Sequence, residues 1–100
     1  MQQWLYLLKP TRLGMVTGEP TAREAEIVSR HFAFLEDLTG KGVILLVGRT
    51  QNRDESMFGI VIFEAQDESA ARMIMGSDPA VRAGVMRAEL YPYKVALMRK

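Results

Sequence analysis

The chain of 100 residues contains no cysteine and one histidine. Without cysteine there is no disulfide framework and no thiolate metal site, so nothing ties the chain to an oxidising compartment. A lone histidine gives no metal-ligand cluster, and neither a metal nor any other cofactor is expected. A surplus of charge is also missing. Thirteen basic against 12 acidic residues leave a formal net charge of +1, too little to draw in nucleic acid or an anionic membrane. The basic residues are scattered: only Arg99-Lys100 is a cluster, and Arg23, Arg30, Arg82 and Arg87 form no aromatic-interleaved stripe. No apolar run approaches the roughly 20 residues of a membrane helix. The first eight residues lack the basic start, long apolar core and cleavage site of a signal peptide. There is no glycine loop for phosphates, and no nucleophile elbow surrounds Ser29, Ser56, Ser69 or Ser77. The expectation is a soluble cytoplasmic protein, a single domain over residues 1–100 with one modest core.

What is present is strong patterning. An apolar and aromatic run over residues 4–8 reads as a first strand, and residues 9–20, with two prolines and two glycines, as a long loop. Thr21 followed by Glu24 is a capping-box pattern. It opens a helix to about Thr39, stopped at Gly40, whose apolar face carries Ile27, Val28, Phe34, Leu35 and Leu38. A second strand over 43–47 closes at Gly48. Residues 49–56 form a hairpin loop, and a third strand runs from Met57 or Phe58 to Glu64. Asp67 caps a second helix with Ala70, Ala71, Ile74 and Met75 on its apolar face, ended by Gly76. Asp78-Pro79 places an N-cap and a proline at N1 before one short turn to Gly84. A last strand over 86–98 is interrupted by Pro92, which implies a bulge or an edge position.

Strand, helix, strand, strand, helix, strand predicts an α+β, ferredoxin-like βαββαβ fold: a four-stranded antiparallel sheet with two helices on one face. The second and third strand segments, residues 43–47 and 60–63, are apolar on both faces, whereas a sheet wet on one side alternates. The open face is therefore expected to pack on a second copy, as a homodimer. In this topology the loops 9–20, 48–56 and 76–85 share one end of the molecule. Asp78 and Arg49 fall at the mouth of a pocket under the first helix, where a small-molecule ligand could enter.

His31 sits in the middle of that helix's apolar stripe, where leucine would be ordinary. It is the one side chain here whose ordinary titration lies near neutrality. A histidine so placed is more often a packed residue with one hydrogen bond than a catalyst, and Asp78 has its N-cap role regardless. Arg49, after Gly48, has a functional reading as a clamp for a carboxylate or enolate.

The segments Arg30-His31-Phe32-Ala33-Phe34-Leu35, Leu46-Val47-Gly48, Ser77-Asp78-Pro79-Ala80-Val81-Arg82-Ala83-Gly84-Val85 and Glu89-Leu90-Tyr91-Pro92-Tyr93 resemble the YCII-related (YciI-like) proteins of the dimeric α/β-barrel superfamily. The resemblance spans roughly residues 4–98 and is most specific around Asp78. It implies a ferredoxin-like dimer with an active site on a histidine–aspartate pair, matching His31 and Asp78 here. It also implies relatives that act as dehydrochlorinases on chlorinated hydroxyquinols. Where many members carry proline after the second-strand glycine, this chain has Arg49 after Gly48. The resulting expectation is a cofactor-free isomerase or lyase: His31 moves a proton, Asp78 fixes its tautomer, and Gly48 and Arg49 hold the substrate. The competing expectation is a dimeric ligand-binding or accessory module with the same pocket and no turnover.

Overall fold

A computed structural model describes residues 1–99, and Lys100 of the Arg99-Lys100 cluster lies outside them. The order is β1 (Gln2–Pro10), α1 (Gly14–Thr17), α2 (Ala22–Gly40), β2 (Ile44–Arg49), β3 (Gly59–Ala65), α3 (Glu68–Ser77), α4 (Pro79–Arg82) and β4 (Met86–Tyr93). The strands make one antiparallel sheet in the order β2-β3-β1-β4. This is the ferredoxin-like α+β fold that the element order predicts, with the helices packed on one face. Among the described residues no helix is long and apolar enough to cross a membrane.

Alternation along the central strands builds the core. On β1, Trp4, Tyr6 and Leu8 are buried toward the helices, while Leu5 and Leu7 between them are half-buried on the opposite face. Leu35 of α2, Ala71 of α3, Ile44, Val61, Phe63 and Ala65 complete the buried cluster. The Tyr6 and Phe63 rings meet edge to face at 5.7 Å, an arrangement that suits their quadrupoles. On the open face Leu46 pairs with Ile62, and Ile62 and Ile60 pair with Leu5 and Leu7.

The capping box forms as expected: the Thr21 N–H donates to Glu24 Oε1 at 2.8 Å, and the Glu24 N–H donates to Thr21 Oγ1 at 3.1 Å. Several boundaries differ from the sequence reading, each for a local reason. Helix α2 continues through Gly40 because the turn is made at Gly42, with φ of 78°, where the Val43 N–H reaches the Leu38 carbonyl at 3.0 Å. Helix α3 runs through Gly76 to Ser77. The stop is Pro79, which holds Asp78 in extended backbone at φ −63° and ψ 123°. Strand β2 carries an irregularity between Ile44 and Leu46, then extends to include Gly48 and Arg49, which pair with Ile60 and Gly59. Strand β4 ends at Tyr93 instead of 98, because Tyr93 pairs with Gln3 at the start of β1 and the partner strand runs out. Pro92 sits on this edge strand opposite Trp4.

The long first loop is not featureless. It contains α1, a turn of helix with no side-chain cap and hence no sequence signal. The loop is tied to α2 by Arg12, whose Nε and Nη2 donate to Glu24 Oε2 and Oε1 at 2.8 and 2.6 Å, and whose Nη2 also donates to the Glu19 carbonyl at 2.7 Å. Gly14 makes room for this clamp: a Cβ there would lie 2.8 Å from the Arg12 Cζ.

Hydrogen bonds from Arg12, then from the Thr21 N–H, hold the Glu24 carboxyl down from its ordinary 4.5 to about 2. Because the folded value lies below the unfolded one, the stabilisation is complete above pH 4.5 and is lost as pH falls toward 2. Amide protection factors over residues 11–20 should fall across that window. In Arg12→Met the loop should already be weakly protected at neutral pH and show no such step; matching profiles would exclude the clamp as the cause.

Candidate active site

Helix α2 crosses the sheet with the stripe Ile27, His31, Leu35 turned toward it, and the spacing of four keeps these side chains on one face. His31 Nδ1 lies 2.7 Å from Asp78 Oδ1 and 2.9 Å from Oδ2. Asp78 is fully buried and His31 nearly so. Two further donors converge on the same carboxyl group: the Ala80 N–H on Oδ1 at 2.9 Å, and the Tyr6 hydroxyl on Oδ2 at 2.8 Å. Asp78 thus caps α4 in the ordinary way while facing β1 and α2.

Burial, then the charge of Asp78 and the hydrogen bond to it, push the Tyr6 phenol far above its usual value. Tyr6 therefore stays an O–H donor to Asp78 at and well above neutral pH. With Asp78 accepting, the proton on His31 belongs on Nδ1 and the lone pair on Nε2. Among the described residues every fully buried side-chain nitrogen and oxygen has a partner. Nε2 has none, so it is the edge of the ring that solvent reaches.

His31 lines a cleft of about 750 Å³. Its walls come from the first loop (Met15, Val16), from α2 (Val28, Leu35) and from the sheet (Leu8, Val47). Gly48, Arg49, Asn52 and Arg53 of the β2–β3 hairpin border it as well. Register explains the placement of Arg49. It pairs with Gly59 on the helix side of the sheet, and a Cβ on Gly59 would sit 3.8 Å from the Arg49 Cβ and 3.9 Å from that of Leu8.

The structure therefore brings together His31, Gly48 and Arg49 around one cleft, with Asp78 bonded to His31 from behind. Asp78 was expected at the pocket mouth and is instead sealed within the core. Packing of Ala80, itself fully buried, pulls the short α4 and its cap inward. Sequence reasoning missed Tyr6, Asn52, Arg53 and the contribution of α1. A signal for Tyr6 existed, since it is the one hydroxyl among the inward residues Trp4, Tyr6 and Leu8.

A ferredoxin-like sheet roofed by helices, with a buried carboxyl–imidazole pair at the wall of a cleft, defines a class of small α+β site-bearing proteins. Within it, the chain belongs to the YCII-related family: the model of the YCII-related domain matches residues 6–94. No curated protein matches the sequence. Among solved structures, the chain is similar to 5-chloro-2-hydroxyhydroquinone dehydrochlorinase from Burkholderia phenoliruptrix AC1100, in complex with 2,5-dihydroxybenzoquinone. The TM-score is 0.63 at 18% identity over 91% of this chain and 93% of that one. It is also similar to an uncharacterized protein of Thermotoga maritima, with TM-score 0.57 at 15% identity over 92% and 95% of the two chains. A third is SnoaB, a cofactor-independent oxygenase from Streptomyces nogalater, with TM-score 0.51 at 10% identity over 98% and 97%. At these identities the likeness establishes the fold.

Tyr6→Phe should leave the buried Asp78 short of one donor and lower stability by about 1–3 kcal/mol, read from urea denaturation. The single histidine resonance should shift in the same variant. An unchanged midpoint and an unchanged resonance would show that the hydroxyl does not support the pair.

Proposed function

We propose that the protein is a cytoplasmic, cofactor-free enzyme that transfers a proton on a small organic substrate bound in the cleft. The observation that carries this is the free Nε2 of His31 at the cleft wall, with Nδ1 held by a carboxyl group that is itself held by two other donors. Such support fixes both the ring plane and the tautomer, which is what a general base requires.

In this reading Nε2 removes a proton from a carbon adjacent to a carbonyl, including the carbonyl of a phenol's keto tautomer. The electron pair moves onto that oxygen, where Arg49 and the backbone at Gly48 steady the negative charge. Return of the proton to another carbon completes an isomerisation. Departure of chloride from the neighbouring carbon completes an elimination, with loss of one proton and one chloride ion. The dehydrochlorinase among the similar structures makes chlorinated hydroxyquinols a sensible substrate class to test first.

We also propose that the open sheet face pairs with a second copy. The helices leave Leu5, Leu7, Ile60, Ile62 and the exposed Leu46 on one continuous face, and apolar faces of this kind pack two-fold. Sedimentation at micromolar concentration should show a dimer; a lone 11.3 kDa species would exclude it.

Chloride release from 5-chloro-2-hydroxyhydroquinone is the first assay. His31→Gln should lower the rate by about 100- to 10,000-fold, and Asp78→Asn should lower it strongly by reversing the tautomer. Ligand binding without turnover of this or any related compound, unchanged by His31→Gln, would assign the cleft to the non-catalytic module instead.

A further inference from the structure

We infer that the cleft selects an organic anion: a flat apolar body with one oxyanion, a carboxylate or an ionised enol or phenol, held between Arg49 and Arg53. The inference rests on the proposed function only in taking this cleft as the functional site.

The first ground is the sign of the lining. The residues around the cleft include two arginines and no aspartate or glutamate, and most of the rest are apolar. In a protein of net charge +1, that is a local concentration of positive charge over an apolar floor. Clefts of one sign with low-dielectric walls favour ligands of the other.

The second ground is that two of the nearby acids, Asp54 and Glu24, are occupied elsewhere. Asp54 adjoins Arg53 in sequence, yet its carboxylate is taken by the loop: Oδ1 accepts from the Ser56 N–H at 2.8 Å and from Asn52 Nδ2 at 2.9 Å, and the Ser56 hydroxyl binds it as well. Those hydrogen bonds, the Ser56 hydroxyl foremost, hold the Asp54 carboxyl below its usual range. Glu24, on the neighbouring helix, is spent on Arg12. Among the described residues Arg49 and Arg53 make no ion pair, while Arg12, Arg30 and Arg72 each have one. The hairpin thus holds Asp54 within its own loop, and Arg49 and Arg53 are in no ion pair among the described residues.

The third ground is placement. Arg49 leaves the sheet beside Leu8 and Gly59, on the helix-facing side that His31 also faces. A planar guanidinium matches an oxyanion in two-pronged fashion. An anion bound there would lay its apolar body along Met15, Val16, Val28 and Leu35, across the cleft from the hairpin and beside the imidazole.

The test uses 1-naphthoate and its neutral counterpart 1-naphthamide. Calorimetry gives the affinities, and the single histidine resonance reports the place of binding. Naphthoate should bind at least about tenfold tighter than naphthamide and shift the His31 signal. Arg49→Gln and Arg53→Gln should each weaken naphthoate by about threefold or more, and added salt should weaken it further. Arg82→Gln, which removes the same charge from the groove between α2 and α4, should leave it unchanged. Equal affinity for the two probes, unchanged binding in both arginine variants, or no naphthoate binding at millimolar concentration would overturn the inference. Naphthoate binding retained in His31→Gln, in a protein that turns over no substrate, would sink the proton-transfer reading while leaving the anion site in place.

Discussion

The carboxyl group of Asp78 is the point at which this structure is tied together. It is fully buried, and it accepts hydrogen bonds from a side chain of α2, a side chain of β1 and a backbone N–H of α4. Burying such a group is costly unless its acceptors are filled. Its three donors come from segments far apart in sequence, with 47 residues separating His31 from Asp78 and 72 separating Tyr6 from it. The helix layer therefore has a polar pin to the sheet within an otherwise apolar interface. The orientation of His31 follows from that pin, and the exposure of Nε2 follows from the orientation.

Around this fixed centre the charges are sorted. Two acids near the cleft are engaged by close neighbours, Glu24 by Arg12 and Thr21, and Asp54 by Ser56 and Asn52. Each of these short-range networks also shapes the loop in which it lies. Ordering the loop and clearing the cleft of negative charge are thus one arrangement of atoms.

Most of the architecture was readable from the chain because its signals are local. The capping box at Thr21, the apolar run of residues 4–8, and the Asp78-Pro79 pair each specify a boundary or an element with few residues. The spacing of Ile27, His31 and Leu35 placed the histidine on the inward side of α2 before any contact was known. Shared position of the loops likewise brought Gly48 and Arg49 to the cleft. What escaped was set by tertiary packing. Short α1 has no cap, and the depth of Asp78 depends on how Ala80 seats against α2. The end of β4 depends on where β1 begins. That Arg53 lacks a partner depends on the bonds Asp54 makes, which its adjacency in sequence would not suggest.

One feature of the junction between α3 and α4 reaches beyond this chain. Asp78 ends one helix and begins the next, with proline immediately after it. Its backbone is thus dictated from both sides, and an insertion there would displace two helices at once. The segments 11–20 and 50–58, which supply part of the cleft's wall and Arg53 at its rim, carry no comparable restraint from the core. The scaffold therefore separates an inheritable invariant from an exchangeable periphery. Changes confined to those two loops would alter what enters the cleft while leaving the imidazole and its buried support in place.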